Sequence, residues 1–224
     1  MRTWYAKQVA WVALCALTLG WSRASGQTLA PDSKMYTLAT PVADLLALVR
    51  AQVFTDGGRY YPCRGNPSCA AWGQNIALSD PTLSIDGARL VFSVKMVGTY
   101  AMNAYLAPQV TGTLVVSGVP VVIDNHVRLS EAKVEAGPSD VTFQAFVEAT
   151  HARMEKMVGE SGGFDLAQYL ASASRDPRLP PPRLPGLHCV DPAEIQLQAV
   201  QADAGAAAIT ATVVGPAATP RRAC

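Results

Sequence analysis

The sequence predicts an α+β domain, and three observations carry that reading. Apolar residues recur with period two from Ile76 to Glu135 and again near the C-terminus. One long stretch, from Phe143 to Val158, recurs with helical spacing instead. The strands come in runs on either side of that stretch rather than alternating singly with helices, which is the pattern of α+β rather than α/β folds.

The first 26 residues have the layout of a signal peptide: Arg2 and Lys7, an apolar run from Val9 to Leu19, then small residues at Ala24 and Gly26. The expected mature chain begins at Gln27. Its apolar run is shorter than the roughly 20 residues that span a bilayer. Cys15 lies inside that run with no small residue before it, so lipidation is not expected. The predicted organisation is therefore a signal peptide over 1–26, one domain over 27–214 and a C-terminal tail over 215–224. Export, to a bacterial periplasm or beyond the cell, follows from the leader, with no transmembrane anchor in the mature form.

In "TPVADLLALVRAQVF" Thr40 is the expected N-cap and Pro41 the first helical residue. Val42, Leu45, Leu46, Val49 and Val53 form the apolar stripe of a short helix. "TDGGRYYPCRGNPSCAAWGQN" is dense in turn residues and reads as a loop. Its Tyr60, Tyr61 and Trp72 suit the packed base of such a loop, with a binding rim as the sharper alternative. In "LSIDGARLVFSVKMVG" Leu90, Phe92, Val94 and Met96 share one face, and Asp86-Gly87 marks a hairpin turn. Thr111 to Ser117 alternates again, Gly118 and Pro120 are expected to interrupt it, "IDNH" turns the chain, and Val127 to Glu135 forms the next strand.

Ser139 or Asp140 can cap the long helix, whose stripe is Phe143, Phe146, Val147, Thr150, Met154, Met157 and Val158. Glu148, Arg153, Glu155 and Lys156 lie on its other face. "FDLAQYLASA" predicts a second, shorter helix, and "RDPRLPPPRLPG" an extended polyproline connection acting as a spacer. "EIQLQAV", with Ile195 and Leu197 inward, and "AAITATVV", with Ile209, Ala211 and Val213 inward, complete the strands.

The leader holds three of the 18 basic residues and none of the 17 acidic ones, so the mature formal charge is −2. No basic stripe points to nucleic acid. Four cysteines remain after the leader: Cys63, Cys69, Cys189 and Cys224. An even count in an exported chain suggests two disulfides. Three pairings are open. Gly65, Asn66 and Pro67 bend "CRGNPSC" and favour Cys63–Cys69, which leaves Cys189–Cys224. Ligand spacing does not suit a metal.

His126, His151 and His188 stand in no recognisable catalytic motif, and neither GxSxG nor a phosphate-binding glycine loop occurs. His151 and Glu155, one turn apart, suit a solvated pair better than a base or a metal site. Asp86, Asp124 and Asp191 fall in turn contexts. Neither an enzyme nor a cofactor is expected.

"LSDPTLSIDGARLVFSVKM", "VTGTLVVSGVPVVIDNHVRLSEAKVEA", "VTFQAFVEATHARMEKMV" and the closing "PAEIQLQAV" together resemble bacterial envelope proteins of the tubular lipid-binding (TULIP) superfamily. The likeness is to small periplasmic lipoproteins with a single such module, over roughly residues 36 to 214, and rests on element order and strand texture. It implies a highly curved antiparallel β-sheet wrapped around a long amphipathic helix, with one or two shorter helices. An elongated apolar groove, which in some relatives takes lipid chains, is implied with it. Two features depart from the relatives: no lipidated cysteine follows the leader, and the cysteine loop and proline connection are additions.

The expected function is a non-enzymatic periplasmic module sheltering a lipid acyl chain or another apolar ligand. Candidate lining residues on the strands are Leu90, Phe92, Val94, Met96, Leu114 and Val116. Those on the helix are Phe143, Phe146, Val147, Met154 and Met157. The same residues suit an ordinary filled core, and the two readings differ in free volume alone. The alternative function is a structural or accessory envelope protein that binds another protein, through a sheet edge or the aromatic loop, and holds no small ligand.

Overall fold

A computed structural model describes residues 33–62, 76–99, 108–160, 164–165 and 196–216. In chain order these form β1 (Ser33–Pro41), α1 (Val42–Gln52), β2 (Arg59–Tyr60), β3 (Ala77–Asp86), β4 (Arg89–Thr99), β5 (Gln109–Ile123) and β6 (His126–Ala136). Next come α2 (Val141–Glu160), β7 (Phe164–Asp165), β8 (Gln196–Asp203) and β9 (Ala208–Pro216). The α+β class holds. The antiparallel strands form a strongly curled half-barrel, in one sheet of order β2-β3-β4-β5-β6-β7 and a second of order β1-β9-β8.

The hairpin turns follow from local chemistry. Gly87 supplies the positive φ (58°) between β3 and β4. Asp124 and Asn125 both take positive φ (52° and 63°) between β5 and β6, the twist-matched geometry of a two-residue turn. β5 is 15 residues long. It runs through Gly118 and Pro120 without a break, contrary to the expected interruption. The reason lies in the pairing: β4 accompanies β5 only as far as Gly118, so Pro120 sits where β6 is the remaining ladder partner.

Two bulges bend the six-stranded sheet, and both follow one plan. In β3 the register shifts between Ser79 and Thr82, with Asp80 at φ 50°. Opposite Gly118 the register shifts again, and β6 carries the extra residue, Glu131 at φ 48°. A bulge leaves backbone groups outside the ladder, and at each one an arginine from a neighbouring element takes up a carbonyl. Arg50 of α1 donates to the Pro81 carbonyl at 3.1 Å. Arg89 donates to the Glu131 carbonyl at 2.6 Å and reaches Ser117 Oγ at 3.4 Å.

Helix α1 starts one residue later than expected. Thr40 is not its cap but a strand residue paired with Ile209. Pro41 occupies the N-cap without a side-chain bond, and the Val42 N–H donates instead to the Ala207 carbonyl at 2.9 Å. Between the two expected caps of α2, Asp140 is the one used: its Oδ1 accepts the Phe143 N–H at 2.7 Å. The second, shorter helix is corrected at its start, because Phe164 and Asp165 form β7 and pair with Val127 and His126. The remainder of that segment, the proline connection, Ile195 and all four candidate disulfide cysteines lie outside the described residues. Strands β1 and β2 were not anticipated.

The core has two parts. The larger joins one face of the six-stranded sheet to α2 and the end of α1, with Val94, Val110 and Phe143 at 0% exposure. The smaller joins Leu38, Leu197, Ala211 and Val213 of the second sheet to Val122 and Val127 at the far end of the β5–β6 hairpin. Asn125 Oδ1 accepts the Leu197 N–H at 2.5 Å and ties the hairpin turn to β8. Among the described residues no helix is long and apolar enough to cross a membrane.

Candidate functional site

Strand register sorts the apolar face of the six-stranded sheet into cross-strand rows. Leu78, Met96 and Gly112 form one; Val94, Leu114 and Ala136 the next; Leu83, Phe92, Val116 and Val134 a third; Ile85, Leu90 and Gly118 a fourth. Successive rows stand two residues apart, about 7 Å along the strands.

Helix α2 packs on the β6 and β5 side of these rows, and α1 lies against β3. Phe143 sits over Gly112, where a Cβ would stand 2.4 Å from the ring, so this glycine is the slot that admits the aromatic side chain. The rings of Phe143 and Phe146 lie 6.0 Å apart at a tilt of 47°. Farther along, Glu155 Oε1 accepts the Val134 N–H at 3.0 Å, a second strut between helix and sheet. This corrects two expectations: Glu155 is turned to the sheet rather than to solvent, and it is not the partner of His151. The His151 ring donates Nδ1–H to the Glu148 carbonyl at 2.6 Å, and His126 does the same to the Asp124 carbonyl at 2.6 Å. Each imidazole is thus bonded to local backbone.

Of the candidate lining residues, Phe92, Val94, Met96, Leu114, Val116, Phe143, Phe146 and Val147 are all buried in the larger cluster. Met154 is half-buried against it. The Met157 side chain lies outside the described residues. Leu90 stands apart, half-buried in the fourth row. That row continues onto β6 through Leu129, whose Cβ would meet a Cβ on Gly118 at 2.8 Å.

Beyond the fourth row begins the contact with the second sheet, at Val122 and Val127. Ile85 and Leu90 belong to neither core cluster, Leu129 packs against the larger one, and all three are apolar and half-buried. Ile85, Leu83 and Leu129 were not among the expected lining residues. The signal that finds them is a switch of apolar parity within a strand, from Leu78 to Leu83 and Ile85 on β3 and from Val134 to Leu129 and Val127 on β6. Each switch is one of the bulges.

Among the described residues no group of three His, Cys, Asp or Glu side chains is placed to hold a metal ion. No family model, curated protein or solved structure matches this chain.

Proposed function

We propose that this chain is a non-enzymatic binding module that shelters one apolar chain, such as a lipid acyl chain, between the six-stranded sheet and α2. The ligand enters over the row Ile85, Leu90 and Leu129 and runs toward Met154. The observation that supports this reading is the half-buried apolar row at the margin of the larger cluster, on the side that faces the second sheet. Burying such a row adds roughly 25 cal/mol for each Å² of apolar surface removed from water. An acyl chain meets its demands without a hydrogen bond, so an apolar lining is sufficient recognition. The TULIP likeness of the sequence belongs to the same proposal, as does residence in a bacterial periplasm.

The test is extraction of the purified protein into organic solvent with mass spectrometry, alongside titration of a fluorescent fatty acid. Saturable probe binding that Leu90→Asp and Leu129→Asp abolish, in variants that keep the wild-type circular dichroism spectrum, is the expected result. An extract free of lipid together with no saturable binding to the wild type would refute the proposal.

A further inference from the structure

A β-sheet edge presents unpaired N–H and C=O groups, and proteins ordinarily guard it by shortness, bulges, charge or a covering group. Two of the described edges here are guarded in that way. β2, which ends the six-stranded sheet, is two residues long. β8 has a register shift between Leu197 and Ala199, and Asn125 Oδ1 takes the Leu197 N–H on the side away from β9.

β1 is different. It is nine residues long, pairs with β9 at nine consecutive positions with no register shift, and has no other partner strand among the described residues. Six of its nine residues are exposed, Met35 at 69%. Its charge is confined to Lys34 near one end, and Pro41 closes the other.

We infer that β1 is a self-association edge: two copies of this chain pair through it, antiparallel, about a two-fold axis at Thr37. The sequence of the strand fits itself in that register. Tyr36 stands opposite Leu38 of the second copy, both on the face that carries the smaller core, so the apolar layer continues across the axis. Met35 stands opposite Ala39 on the outer face. Lys34, whose ammonium lies 5.7 Å from the Tyr36 ring centroid, stands opposite the neutral Thr40, so no like charges meet. A two-fold axis makes the contact isologous and closed, which limits association to a dimer. A single strand pair buries less than the roughly 1,000 Å² of a stable interface, so the dimer is concentration-dependent.

Sedimentation velocity on the purified protein, from micromolar to near-millimolar concentration, tests this with two double variants. Met35→Lys with Ala39→Lys sets like charges opposite each other twice across the axis and moves dimerisation to roughly tenfold higher concentration. Met35→Lys with Ala39→Glu sets opposite charges there and dimerises at or below the wild-type concentration. Met35 and Ala39 are both exposed, and unchanged circular dichroism spectra verify that each variant folds. A wild type that stays monomeric throughout, or two double variants that dimerise alike, would overturn the inference, the second result placing the contact on another face.

Discussion

Gly112 and Phe143 act as one unit. A methyl group at Gly112 would stand 2.4 Å from Phe143 Cδ1 and 2.6 Å from Ser139 Cβ. The ring itself is fully buried and has nowhere to retreat. Gly112→Ala is therefore expected to cost about 1–3 kcal/mol through overpacking. Phe143→Ala should cost about 3–5 kcal/mol through lost burial and the cavity it leaves. The two effects should not add: in the Phe143→Ala background the clash with the ring is gone and only the contact with Ser139 Cβ remains, so Gly112→Ala costs less there than in the wild type. Urea unfolding of the four members of the cycle measures that coupling. At the same helix end, Asp140→Ala removes the acceptor of the Phe143 N–H and is expected to cost about 0.5–2 kcal/mol in the same assay.

At the scale of elements, the sequence exposes periodicity well and interruptions of periodicity poorly. The β4 face of Leu90, Phe92, Val94 and Met96 and the α2 stripe of Phe143, Phe146 and Val147 were legible, because spacing alone determines which side chains share a face. The fourth-row residues on β3 and β6 were not. Asp80 and Glu131 each add one residue to a strand, which reverses the parity of everything beyond. Short period-two windows average across such a reversal. Glycine would have marked these positions as bulges, but an aspartate and a glutamate hold the positive φ here, so the turn chemistry gave no warning. Strand β1 was missed for a different reason: its partner β9 lies some 170 residues downstream, and no local pattern reports such a pairing. The bulge makes a sharp prediction. Glu131→Gly keeps the backbone geometry and the carbonyl that Arg89 holds. Because Glu131 is 75% exposed at its side chain, it should stay within about 1 kcal/mol of wild type. Deletion of Glu131 instead turns Leu129 and Val127 out of the core, and folded protein should no longer be recovered, as judged by circular dichroism and gel filtration.

For the whole molecule, the question is whether two core clusters make two independently unfolding parts. Strand β5 answers it: Val110, Leu114 and Val116 lie in the larger cluster, and Val122 of the same unbroken strand packs against the smaller. The second sheet depends on that strand's hairpin for its apolar cover and for the Asn125 bond to Leu197. A three-stranded sheet with four buried core residues has little apolar area of its own against the entropy of ordering its strands. It is accordingly expected to unfold with the rest. Leu38→Ala should cost about 2–5 kcal/mol and lower the single urea midpoint followed by circular dichroism, without creating an earlier step. Asn125→Gly tests the bond apart from the apolar burial, since glycine accepts the positive φ of 63° and the polar side chain that carries the Oδ1 acceptor is removed. In that variant the Leu197 amide should lose protection from hydrogen exchange while Val94 and Val110, in the larger cluster, keep theirs. If Leu38→Ala instead produced a second, earlier transition, the hairpin would be holding the second sheet in place without sharing its cooperativity, and the proposed ligand row would then lie at a hinge between two units.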